Sequence, residues 1–218
     1  MKLFKYTNYF ETNHNMDYAS ATCFDDLVIS NINYLQGYLG ETPSYSGPPH
    51  PETNFIIQHL VDICGKGVLT TSSQPACVAD MKRQRGYIQG ALKGDIQKFA
   101  ELLDQHTNLE YALVTHRPDN IYLESIDSDN ISDDQYRVWR FSQINVGGRW
   151  DTSYGECMID DGESMIEDFF HYNTEEYSLT EDDDVIYFIV SDDVYDLPMD
   201  NCCNELMRVL IMMEEDNA

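Results

Sequence analysis

Between Asp184 and Ser191 the chain reads Val-Ile-Tyr-Phe-Ile-Val, apolar at every position, with Asp192-Asp193 close behind. The run is shorter than an amphipathic helix and is built of β-branched and aromatic residues, so it reads as a strand buried on both faces. A strand of that kind lies centrally in its sheet.

The other segments are read around that strand. Thr22 and Asp25 make a start like a capping box, with Asp in place of Glu, to a helix whose Phe24, Leu27, Val28, Asn31 and Leu35 fall at helical spacing. It stops at Gly37 or Gly40. Residues 41–50, rich in Pro, Gly and Ser, form a loop, and Pro51 falls in the first turn of a second helix. Phe55, Ile56, Leu60, Ile63 and Cys64 give that helix an apolar stripe, which Gly65 and Gly67 end. Val68 to Thr71 reads as a short strand, Ser72 to Pro75 as a turn, and Arg85 to Leu92 as a second strand. Gly94-Asp95 caps a helix with Ile96, Phe99, Leu102 and Leu103 inward, and Leu109 to Thr115 is a third strand.

Ile121 to Ile126 and Tyr136 to Gln143 alternate as strands of a half-exposed sheet do. Gly147-Gly148-Arg-Trp-Asp151 is a turn, a short helix surrounds Met165, Ile166, Phe169 and Phe170, and Asp200 to Met213 closes the chain as a helix. The intermixing predicts one α/β or α+β domain, residues 21–218 behind an N-terminal tail of 1–20, with a mixed β-sheet flanked by helices. The second half, from about residue 119, is strongly acidic.

The 218 residues carry 39 Asp and Glu against 13 Lys and Arg, a formal net charge of −26. Residues 1–110 hold 12 acids and 8 bases, net −4, whereas 111–218 hold 27 and 5, net −22. A surface of that sign repels phosphate backbones and anionic bilayers, which argues against direct nucleic-acid or membrane partners and leaves basic proteins or multivalent cations. Acidic runs also simply solvate ordinary surfaces. No apolar run reaches the roughly 18 residues of a membrane helix, and the opening Met1-Lys-Leu-Phe-Lys-Tyr lacks the apolar centre of a signal peptide. The expectation is a cytoplasmic, intracellular protein, compatible with virion association. Cysteines at 23, 64, 77, 157, 202 and 203 form no Cys-x-x-Cys pair and are expected to be reduced and mostly buried.

Polar chemistry concentrates between Glu52 and Gly90. Thr70, Ser73 and Gln74 offer donors and acceptors at a strand end, Gln84 adds an amide, Arg85 supplies a fork for carboxylate or phosphate, and Glu52 would accept from a ribose or an amine. These six residues are the candidate ligand-binding set. The structural alternative has Ser73 and Gln74 bonding turn backbone and Arg85 pairing with Glu52 to lock helix against strand. A serine nucleophile at Ser72 or Ser73 with His59 or His116 lacks the Gly-x-Ser-x-Gly elbow, and Cys64 or Cys77 on an apolar face fits core better than catalysis. Asp192, Asp193, Asp196 and Asp200 could gather at the end of the apolar strand as hard oxygen ligands for Mg²⁺ or Ca²⁺, but they lack the spacing of a regular cation loop, and no metal is assigned.

Glu52-Thr53, the stretch Gly67, Thr70, Ser73, Gln74, Pro75, and then Gln84, Arg85 and Gly90 resemble the pattern of an uncharacterised family of actinobacterial and large-DNA-virus proteins: Glu-Thr, a helix, Gly-x-x-Thr-x-x-Ser-Gln-Pro-Gly, then Gln-Arg-Ala-x-Val-x-Gly. Ala76 and Gly86 depart from it. The match spans about forty residues, with Phe24-Asp-Asp-Leu27 and Tyr34-Leu-Gln-Gly37 similar upstream. The resemblance implies no activity, and the cofactor is left open.

Two functions follow as expectations. The first is recognition of a small polar or anionic ligand at residues 67–90, with or without catalysis. The alternative is a non-catalytic acidic interaction protein that occupies a basic partner, as a nucleic-acid mimic, a host-factor inhibitor or a virion component.

Overall fold

The computed structural model describes residues 16–43, 45–79, 82–115, 137–141, 185–193 and 197–215. The expected segments around 121–126, 147–151 and 165–170, together with His116, Cys157 and Asp196, lie outside them. The described elements are helices α1 (Phe24–Leu35), α2 (Ile57–Cys64), α3 (Ile96–His106) and α4 (Asn201–Glu215), and strands β1 (Val68–Gln74), β2 (Cys77–Ala79), β3 (Lys82–Gln84), β4 (Tyr87–Lys93), β5 (Glu110–Thr115), β6 (Arg137–Phe141) and β7 (Val185–Ser191). Two 3-10 turns precede α1 and α2, at Tyr18–Ser20 and Pro51–Phe55.

The apolar run is the middle strand. The five-stranded sheet has the order β1-β4-β7-β5-β6, and every residue of β7 is buried. Helices α3, α4, α2 and α1 pack side by side in that order, with α4 against β4 and β7, α3 against β5, and α1 and α2 against β1. The fold is α+β.

Every described pairing is antiparallel, so the expected mixed sheet is corrected. The reason lies in the connection β4-α3-β5. Strands β4 and β5 run the same way, as a helical crossover requires, but β7 inserts between them and pairs antiparallel with both. The insertion sets the C-terminal end of β7 between the starting ends of β4 and β5.

Local boundaries differ from the sequence reading in ways that place polar groups. The N-cap of α1 is Cys23, which makes Asp26, not Asp25, the residue that reaches back: its Oδ2 accepts both the amide and the hydroxyl of Thr22 at 2.9 Å. Gly37, at φ 81°, closes α1 with Tyr38 N–H bonded to the Asn33 carbonyl at 2.8 Å. The second helix is split. Ile56 sits at φ −120°, ψ 3°, between the 3-10 turn and α2, and this break turns Phe55 out of the apolar stripe and into solvent.

The expected turn at Ser72 to Pro75 is strand as far as Gln74. Ser72, Ser73 and Gln74 pair with Gln89, Ile88 and Tyr87 after a register shift at Thr71, so backbone partners on β4 outweigh the turn propensity of the side chains. The turn is displaced into a small hairpin, β2 with β3. Gly90 permits the close approach of β1: a β-carbon there would lie 2.5 Å from the Leu69 carbonyl oxygen.

The remaining boundaries follow the residue pattern. Asp95 caps α3 by accepting from Gln97 N–H at 2.9 Å and Lys98 N–H at 3.1 Å. Ile96, Phe99 and Leu103 face the core, where the Phe99 and Phe188 rings meet edge to face at 5.7 Å. In α4, Leu206, Val209, Leu210 and Met213 are buried. Residues 16–20 also dock on this body, through the Tyr18 hydroxyl on Asn31 Oδ1 at 2.9 Å and Asn33 Nδ2 on the Met16 carbonyl.

Candidate functional site

A row of paired residues crosses the sheet at one end: Gln74 opposite Tyr87, Tyr87 opposite Ser191, and Ser191 opposite Glu110. Just beyond this row the chain enters β4 through Arg85-Gly86 and leaves β7 through Asp192-Asp193. Charges converge there as a consequence of the inserted β7.

Arg85 is buried, and its Nη1 donates to Glu110 Oε2 at 2.8 Å and to the Asp193 carbonyl at 3.1 Å. The Arg85–Glu110 pair joins the entry to β4 with the start of β5. Asp192, fully buried, accepts the Gly86 N–H on Oδ2 at 3.1 Å and the Asn201 amide on Oδ1 at 2.8 Å. Burial pushes its carboxyl up to about 6, with Asp193 adding to the rise, while the Asn201 and Gly86 hydrogen bonds and Arg85 oppose it. Cys202, in the first turn of α4, donates to the Val190 carbonyl at 3.6 Å, and burial raises its thiol well above the usual range.

The predicted ligand residues distribute unevenly about this end of the sheet. Arg85 lies in it as the cation of a buried pair. Ser73 and Gln74, half-buried at the end of β1, flank it on the side of β4. Gln84 ends β3, opposite Cys77, and its side chain lies outside the described residues. Glu52 is half-buried on the 3-10 turn that packs against β1, its N–H directed at His50 Nδ1 at 3.4 Å.

Thr70 points the other way, into the core. Its hydroxyl accepts from Asn31 Nδ2 at 2.8 Å and lies 3.5 Å from Cys64 Sγ, which Asn31 also reaches at 3.4 Å. Burial raises the Cys64 thiol, and with Asn31 and Thr70 as its polar neighbours this cysteine is a structural group rather than a nucleophile. Sequence reasoning missed Glu110, for which no local pattern existed, and separated Arg85 from Asp192, which are 107 residues apart in sequence and joined by topology. Two aspartates of the suggested cation site, Asp192 and Asp200, are engaged by other groups. Asp192 turns to Gly86 and Asn201, and Asp200 pairs with His59 Nε2 at 3.5 Å across α2 and α4. Among the described residues no group of three or more His, Cys, Asp or Glu is placed to hold a metal ion. Nor does any described helix have the length and apolarity to cross a membrane.

No curated protein matches the chain. The stretch that carries β1 to β5, including Arg85, Gly86 and Glu110, does have relatives, although the match stops short of β7. Residues 14–128, just over half of the 218, match the family described as a domain of unknown function, DUF6919, and the chain belongs to that family.

Proposed function

We propose that this chain is a recognition domain for a small polar ligand, bound at the sheet end where Gln74, Tyr87, Ser191 and Glu110 align. The observation that carries this reading is the concentration of buried ionisable groups at that end, Arg85 with Glu110 and Asp192 with its raised carboxyl, beside the half-buried Ser73 and Gln74. Buried charge gathered at one strand end is a recurrent mark of binding sites. Arg85 acts in this reading as a positioning residue, because Glu110 already neutralises it. An anionic ligand would meet the carboxylates of Glu110, Asp192 and Asp193 against one guanidinium, so the electrostatics favour a neutral or cationic ligand that offers hydrogen-bond donors.

A thermal-shift panel of polyamines, amino acids, nucleosides and sugars tests the reading, with Gln74→Ala and Ser73→Ala as the paired variants. A compound that raises Tm in the wild type and loses its effect in the variants supports it. A flat panel on folded protein sinks it.

A second reading, occupation of a basic protein partner, is favoured by the charge distribution: no Lys or Arg occurs from residue 6 to residue 65, and the whole chain is at −26.

A further inference from the structure

The connection from α1 to α2 presents three large aromatic side chains to solvent. Tyr38 is 58% exposed, Tyr45 47% and Phe55 65%. Aromatic residues of this size usually bury most of their surface, and three on one connection are an unusual display for a chain with a well-filled core. The connection is also held in shape. Thr42 and Tyr45 exchange backbone hydrogen bonds at 2.8 and 3.3 Å, the Thr42 hydroxyl accepts a further bond from Tyr45 N–H at 3.0 Å, and Glu41 bridges to Ser46. Gly47 N–H bonds to the Gly40 carbonyl at 3.0 Å. Phe55 owes its exposure to the backbone break at Ile56.

The stretch of sequence that carries these rings is one-sided in charge. Glu41, Glu52 and Asp62 lie in this part of the chain, and Lys66 is the first Lys or Arg after Lys5. Lys66 itself is engaged by Glu214 at 2.6 Å. Aromatic faces attract ammonium and guanidinium groups through their quadrupole, and guanidinium planes stack on them as well. Carboxylates around such rings add attraction for the same groups and repel phosphates. A second copy of the chain would bring another −26 to the surface, which counts against self-association.

We propose that Tyr38, Tyr45 and Phe55 form a docking surface for an Arg- or Lys-rich segment of a partner protein, with Glu41 and Glu52 as its acidic rim. This rests on the basic-partner reading given above and assigns that reading a surface built from residues of the first half of the sequence. It is independent of the ligand site at the end of the sheet.

The probe is a fluorescein-labelled peptide of alternating Arg and Gly, titrated by anisotropy near physiological salt, where unspecific attraction between exposed charges is largely screened. Four proteins are compared: wild type, Tyr38→Ala/Tyr45→Ala/Phe55→Ala, Glu41→Gln/Glu52→Gln, and Glu181→Gln/Asp182→Asn/Asp183→Asn/Asp184→Asn. The proposal expects the aromatic triple variant to bind roughly tenfold or more weakly, as the loss of three exposed cation–aromatic contacts would give. The rim variant weakens binding less, the 181–184 variant stays near wild type, and all four have unaltered circular dichroism. Binding unchanged in the aromatic variant but lost in the 181–184 variant overturns the surface and leaves the basic-partner reading standing. No binding to the wild type overturns both. Oligomers that dissociate in the aromatic variant would assign the rings to a second copy and overturn the proposal as well.

Discussion

Asp192 Oδ2 lies 3.1 Å from the Gly86 nitrogen and 2.6 Å from where a β-carbon on residue 86 would stand. The carboxylate fills the space that glycine leaves, and it ties the exit of β7 to the entry of β4. A reciprocal bond runs from Asp192 N–H to the Gly86 carbonyl at 2.9 Å. Gly86→Ala must push Asp192 or the Ala76 amide, 3.2 Å from the same point, out of place. The expected cost is about 1–3 kcal/mol of overpacking, read as a lowered urea midpoint with an unchanged slope. An unchanged midpoint would mean that the Asp192 side chain moves aside freely.

The Asp192 carboxyl makes stability depend on pH. In the unfolded chain it titrates near 3.8 and in the folded protein near 6, raised first of all by burial. Between those values the folded state holds a proton that the unfolded state has released. The contribution is therefore fully present below about pH 4 and is lost as pH rises through 6. Asp192→Asn cannot titrate, so the wild type should gain more stability than the variant on going from about pH 7.5 to about pH 4.5, with about 3 kcal/mol as the ceiling from linkage. Urea titrations of both proteins at the two pH values decide it, and equal gains would place the folded carboxyl near its ordinary value.

The legibility of this chain followed the range of the interactions involved. The β7 run, the Asp95 cap and the inward face of α4 were readable because each is a local pattern that the packing then honours. Ser72 to Gln74 looked like a turn because their side chains favour one, and pairing to β4 overrode that preference. The break at Ile56 was invisible, as nothing in Phe55-Ile56 distinguishes a stripe from a kink, yet it decides whether Phe55 is core or surface. Arg85 was singled out for its hydrogen-bonding capacity, while its partner Glu110 could be known only once β7 had separated β4 from β5.

That buried pair should respond differently to one substitution than to two. Arg85→Ala leaves Glu110 buried without its guanidinium, at an expected cost of about 3–5 kcal/mol. Arg85→Met combined with Glu110→Leu removes both charges and should recover most of the loss, since apolar replacements of buried pairs are often neutral. Denaturation of the two variants separates a structural pair from a weak one. If the double variant is as unstable as the single, the charges at this end of the sheet are held by more than each other.

The Asn31, Cys64 and Thr70 cluster is a smaller case of the same logic. Thr70→Val keeps the shape and removes the oxygen that Asn31 Nδ2 meets at 2.8 Å, leaving the amide with the Cys64 sulfur at 3.4 Å. An amide left so poorly satisfied in the core costs about 1–3 kcal/mol. The reading is a thermal or chemical unfolding midpoint, and no change would show that water or the thiol fully replaces the hydroxyl.

Thiol reactivity should sort the described cysteines by burial. Cys23 is exposed at the start of α1, whereas Cys64, Cys202 and Cys203 are buried. Burial pushes the Cys203 thiol up to about 12, with Asp200 and Asp192 adding to the rise, and the Cys202 and Cys64 thiols are raised as well. Because the thiolate is the reactive form, these three should alkylate only through opening of the fold, on the order of a hundredfold more slowly than Cys23 in native buffer. Iodoacetamide labelling followed by peptide mapping, with and without urea, reads each site separately. Fast native labelling of Cys202 or Cys203 would show that the first turn of α4 opens locally, and with it the Asn201 contact that holds Asp192.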